Sequence, residues 1–108
     1  MKAPVPEKLI NNGLLRGSVV RSMAGHDSRE VFVALKVSEG FTWLTDGGSR
    51  RYDTPKKKRV SHVRPLGCLA DPAKLDQIDT LGDAGQRDAA LRRLLKDYLT
   101  INQLEEET

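Results

Sequence analysis

Glu30-Val-Phe-Val-Ala-Leu-Lys-Val-Ser-Glu-Gly-Phe-Thr-Trp-Leu-Thr45 is the stretch that decides the fold. Val31, Val33, Leu35 and Val37 recur at period two, the spacing that puts alternate side chains on one face of a strand. Glu39-Gly40 is a two-residue hairpin turn, so Phe41–Thr45 returns antiparallel. A lone hairpin is marginal in water, and the flanking residues supply more strands. Upstream, Ser18–Ser22 is short and β-branched. Ala24-Gly25-His26-Asp27 is a turn, with Gly25 the natural place for a positive φ. Downstream, Asp46-Gly47-Gly48 closes the returning strand. Ser49–Asp53 reads as a fourth strand ended by Pro55, and Val60–Val63 as a fifth stopped by Pro65. Five short strands with tight turns are too few for a large sandwich. A small, strongly bent barrel also removes exposed edges.

The segments outside this unit read differently. Residues 1–16 form an N-terminal arm. Pro4 and Pro6 disfavour a helix there, while Leu9-Ile10 and Leu14-Leu15 offer docking points. Residues 17–67 are the barrel. Residues 68–108 are a connector and a C-terminal helix with an acidic end, Glu105–Glu107. The connector character already begins at Leu66 and lasts to Leu81. Asp83, followed three residues later by Gln86, marks the helix start. Leu91, Leu94, Leu95 and Tyr98 lie at i, i+3, i+4 and i+7, one apolar stripe suited to packing on the barrel. The fold class expected is mainly β: a five-stranded barrel with a C-terminal α-helix packed on it.

The chain has 108 residues and a net charge of +3, unevenly divided. Residues 1–67 hold 13 Lys/Arg against 6 Asp/Glu, and residues 68–108 hold 5 against 9. Between Ser49 and Arg64 there are seven cations and one acid, Asp53. Such self-repelling charge suits a polyanionic partner, nucleic acid first. Cys68 is the only cysteine; it excludes an internal disulfide, fits a reducing cytosol, and reads as a small buried hydrophobe. No apolar run resembles a secretory leader or a membrane span. A cytoplasmic, monomeric protein without a membrane partner is expected.

Gly17-Ser-Val-Val-Arg-Ser-Met-Ala-Gly-His-Asp27, followed by Val31-Phe32-Val33, resembles a KOW motif. Asp46-Gly47, Arg50, the Pro55-Lys56-Lys57-Lys58 run and His62 resemble the second half of the same domain. Together they resemble bacterial KOW-domain RNA-binding proteins, themselves similar to KOW-containing large-subunit ribosomal proteins of archaea and eukaryotes. The resemblance covers residues 17–65. It implies an SH3-like barrel that binds structured RNA, ribosomal RNA foremost, as a ribosomal or ribosome-associated protein. The motif glycine falls on Gly25 and the basic run on Arg50, Pro55, Lys56, Lys57 and Lys58. One departure stands out: Ser28-Arg29 replaces the Lys-Gly pair that follows the motif aspartate.

Lys56–Arg59 has three readings: a solvated loop, a nuclear address or a phosphate clamp. The clamp is favoured because Arg50 and Arg51 precede it across a turn and Arg64 follows. Arg21 and Arg29 flank the Gly25 turn and read individually as surface residues. His26 and His62 suit phosphate or base edges, and nothing nearby completes a metal site. Phe41 and Trp43 invite base stacking, but with five aromatics in the chain core packing is the favoured reading. Tyr52, inside the basic segment, is open either to packing or to stacking on a flipped base. The RNA-binding set is therefore Arg21, Gly25, His26, Arg29, Arg50, Arg51, Tyr52, Lys56, Lys57, Lys58, Arg59, His62 and Arg64. Neither Asp27/Glu30 nor Asp76/Asp79 comes with a convergent base, so no enzyme, cofactor or metal is expected. The competing reading is a protein-interaction module of transcription or translation machinery. There the helix stripe would meet a protein partner.

Overall fold

The computed structural model describes residues 10–25 and 29–102. His26, most of the arm and the acidic end at Glu105–Glu107 lie outside the described residues. The strands are β1 (Ser18–Ser22), β2 (Val31–Ser38), β3 (Phe41–Thr45), β4 (Lys56–Arg59) and β5 (Val63–Cys68). Two helices follow, α1 (Ala73–Asp79) and α2 (Ala84–Asn102). The strands form one antiparallel sheet in the order β4-β3-β2-β1-β5. Among the described residues no ladder joins β4 to β5, so the sheet is open at these two strands.

The hairpin forms as its sequence predicts. Glu39 and Gly40 both take positive φ, +51° and +84°, the geometry whose twist matches the flanking strands. Gly25 likewise has φ +80°. Val37 departs from the expected face. The β2–β3 register shifts between Ala34 and Lys36, and such a bulge reverses the alternation beyond it. Val31, Val33 and Leu35 therefore pack with the helices, while Val37 joins the opposite cluster.

The last two strands lie elsewhere than expected. Ser49–Asp53 is a turn and loop, and the strand is Lys56–Arg59 itself. Val60–His62 is one turn of 3₁₀-helix. β5 runs from Val63 through Pro65 to Cys68. An edge strand tolerates proline because one side of its backbone faces no neighbour. Cys68 is exposed rather than buried, at the end of that edge. The connector contains α1, which buries Leu75 and Ile78. Asp71 Oδ1 accepts the Ala73 N–H (3.2 Å) at its start.

The sheet is apolar on both faces. One face carries Leu14, Val20, Phe32, Ala34, Leu44, Val60 and Val63. The docking role of the arm thus falls to Leu14, while Ile10 and Leu15 are exposed. The other face carries Val19 and Val33, covered by Leu75, Ile78, Leu91 and Leu95 of the helices. Leu91 is fully buried and Leu94 and Tyr98 pack beside it. Leu91 and Leu95 are thus core and closed to a protein partner, while Leu94 and Tyr98 are half-buried. Asp83 caps α2 as expected, its carboxylate accepting the Gln86 N–H (3.0 Å).

Candidate nucleic-acid interface

The register of β3 builds the site. Trp43 stands directly opposite Lys36 of β2 and Lys57 of β4, and Phe41 opposite Arg59. Opposed residues share a face, so these five side chains form one surface. It is the sheet face that α1 and α2 cover over β1, Leu66 of β5 and Val31–Leu35 of β2. Thr42 and Leu44 point the other way and are fully buried, which fixes the strand beneath. Phe41 and Trp43 are half-exposed, and Lys36, Lys57 and Arg59 are exposed. Lys57 Nζ lies 4.3 Å from the Phe41 ring centre and 5.5 Å from that of Trp43. Lys36 Nζ lies 4.9 Å from Trp43, and the Arg59 guanidinium 5.5 Å from Phe41. Each such exposed cation–π contact contributes about 0.5–1 kcal/mol. The rings thus hold mutually repelling cations on one short strand.

The four cations of β4 divide by parity. Lys56 and Lys58 face the opposite side from Lys57 and Arg59, and are half-buried. Lys58 Nζ donates to Ser22 Oγ (2.7 Å) and to the Ala24 carbonyl (2.6 Å). It ties β4 to the end of β1 and approaches Gly25. Ala24, Gly25, Phe41, β4 and the exposed His62 line one shallow depression. The basic run and the Gly25 turn are therefore neighbours in space.

The other predicted residues are dispersed. Arg21 is half-buried, its guanidinium donating to the Arg29 carbonyl (2.9 Å). It stands opposite the exposed Arg64 on β5. Arg29 is exposed with φ +73°. The Arg50 carbonyl accepts from Thr45 Oγ1 (2.7 Å) and from the Asp46 and Gly47 N–H groups, closing the turn. Arg51 turns to α2, pairing with the buried Asp88 at 2.9 Å. The same carboxylate accepts the Tyr52 N–H (2.8 Å). Tyr52 is 6% exposed and belongs to the helix-side core. Its hydroxyl donates toward Asp79 and the Leu75 carbonyl, so its ring is closed to a base. Asp53, the acid of the segment, pairs with Arg87 through two hydrogen bonds, 2.8 and 2.7 Å. That contact holds its carboxyl below the usual range.

Residues 46–53 are thus a dock for α2, and β4 with its aromatic neighbours is the surface left for a ligand. Lys36, Phe41 and Trp43 were missing from the sequence-based set. Their signal is the alternation Phe41-Thr-Trp-Leu-Thr45, whose outward parity becomes clear only once β4 is paired beside it. Among the described residues no group of three or more His, Cys, Asp or Glu is placed to hold a metal ion. Nor is any helix there long and apolar enough to cross a membrane. Compared with models of known protein families and with curated proteins, the sequence matches none.

Proposed function

We propose that this chain is a non-enzymatic RNA-binding protein of the KOW type, acting in the cytoplasm as a ribosomal or ribosome-associated component. The observation that carries the proposal is the β2–β4 face, where Lys36, Lys57 and Arg59 surround Phe41 and Trp43. Lysines on an edge strand also discourage edge-to-edge aggregation. That role alone needs neither the two half-exposed rings nor the cation contributed by β2.

An SH3-like barrel is part of the proposal. β4 and β5 are the outermost strands, yet only Val60–His62 separates them. The edges of a flat five-stranded sheet lie about 19 Å apart, and three 3₁₀ residues advance only about 6 Å. Strong curling brings the edges together. The Lys58 bonds to Ser22 and Ala24, and the Met23 N–H bond to the His62 carbonyl (2.9 Å), support it.

Affinity is mainly electrostatic, with Lys36, Lys57 and Arg59 meeting phosphates. About three contacts give a log K against log salt slope of roughly −2.5. The test is fluorescence anisotropy with a labelled RNA hairpin across a salt series. Replacing Lys57 and Arg59 together by Gln lowers affinity and flattens the slope by about 1.5. Absence of hairpin binding by wild type at low salt defeats the function. Unchanged affinity and slope in the folded double variant defeats the site.

A further inference from the structure

Resting on the reading of this face as an RNA interface, we infer that it takes unpaired nucleotides, one base on Trp43 and another on Phe41. Lys36, Lys57 and Arg59 hold the intervening phosphates. Phe41 and Trp43 are two residues apart on one strand and share a face, so they are separated by about 7 Å along it. Stacked bases rise about 3.4 Å per nucleotide. A duplex, whose inner base faces are covered by their neighbours, has no adjacent bases to lay on both rings. A splayed single strand does, since its bases are free to separate.

The cations over the rings are part of the device. Lys57 reaches both rings, at 4.3 and 5.5 Å, on a long, rotatable stem. Its ammonium occupies the place a base takes. Swinging off the ring carries that charge outward to the phosphate of the arriving nucleotide. Base stacking exceeds an exposed cation–π contact in strength, so the exchange runs toward the bound state. Arg59 and Lys36 repeat the arrangement at either end, over Phe41 and Trp43 respectively.

Trp43 is the only tryptophan, so its fluorescence reports the site without a label. The experiment compares a single-stranded oligonucleotide, a blunt RNA duplex of equal length and inorganic polyphosphate. The expected result is quenching of Trp43 by the single strand, which binds about tenfold or more tightly than the duplex. Polyphosphate competes weakly. In Trp43→Leu, followed by anisotropy of labelled RNA, single-strand affinity falls about tenfold while duplex affinity is unchanged. Trp43→Phe recovers most of the loss. Phe41→Leu supplies an independent arm, and circular dichroism establishes that each variant is folded. Equal affinity for single strand and duplex, or wild-type single-strand affinity in both Leu variants, overturns the stacking inference while leaving RNA binding intact. Failure of wild type to bind either RNA overturns both.

Discussion

The hydroxyl of Tyr52 sits between the Asp79 carboxylate and the Leu75 carbonyl, and burial with the nearby carboxylate pushes its pKa up to about 12. An unfolded tyrosine ionises near 10. The folded chain thus holds this proton more tightly than the unfolded chain. The resulting stabilisation is fully present below about pH 10 and is lost as pH rises through about 12. A spectrophotometric titration of phenolate has two tyrosines to report. Burial also raises the pKa of Tyr98, so neither ionises at the ordinary value, and Tyr52 gives the step near 12. Tyr52→Phe removes that step and flattens the fall in unfolding midpoint over this window. Ionisation of Tyr52 at about 10 in the folded protein contradicts this account. At the same scale, Lys58 serves the fold more than a ligand, because its ammonium is already bonded to Ser22 and Ala24.

Asp88 joins elements that are distant in sequence. From the first turns of α2 its carboxylate accepts the Tyr52 N–H and pairs with Arg51. One turn later Arg92 donates to the Gly47 carbonyl (2.6 Å). Gly47, at φ +73°, lies so close to the Asp88 backbone and Arg92 that any Cβ collides with them. Asp88→Ala leaves the buried Tyr52 amide unsatisfied and is expected to destabilise by about 2–3 kcal/mol in urea unfolding. Asp88→Asn keeps an acceptor and loses only the pair with the mostly exposed Arg51, costing about 1 kcal/mol or less. Equal losses in the two variants would place the stabilisation in the charge pair instead. These contacts explain which elements were legible. The Glu39-Gly40 hairpin, the Gly25 turn, the Asp83 cap and the Leu91 stripe all have local signatures. β4 has none, because Lys56-Lys-Lys-Arg59 shows no apolar alternation. It becomes a strand only by pairing with β3 and resting its cations on Phe41 and Trp43. Helix α1 hid behind the Asp71-Pro72 start, a usable signal, and a short span. The diversion of Arg51 and Tyr52 from the site depends on a helix more than thirty residues away, beyond any local pattern.

At the scale of the whole molecule, a sheet apolar on both faces makes the helices part of the stability of the sheet itself. Val19 and Val33 turn toward the helices while Val20, Phe32 and Leu44 turn away. Losing α2 uncovers the first face and leaves the second as the sole core. Burial of a leucine contributes about 1.5–3 kcal/mol, and α2 supplies Leu91 and Leu95 fully or nearly so, with Leu94, Tyr98 and Leu99 beside them. The loss also removes the Asp88, Arg87 and Arg92 ties to residues 46–53. Together these amount to more than about 5 kcal/mol, comparable with the whole stability of about 5–15 kcal/mol of a typical domain. A chain ending at Asp83 is therefore expected to show no cooperative thermal transition and a collapsed amide NMR spectrum, although it retains all five strands. Adding a peptide spanning 83–102 in trans should restore dispersion, since the missing face is a continuous stripe. A truncated chain that melts cooperatively by itself would mean that the Phe32–Leu44 cluster suffices, and that α2 is an appendage to a self-sufficient sheet.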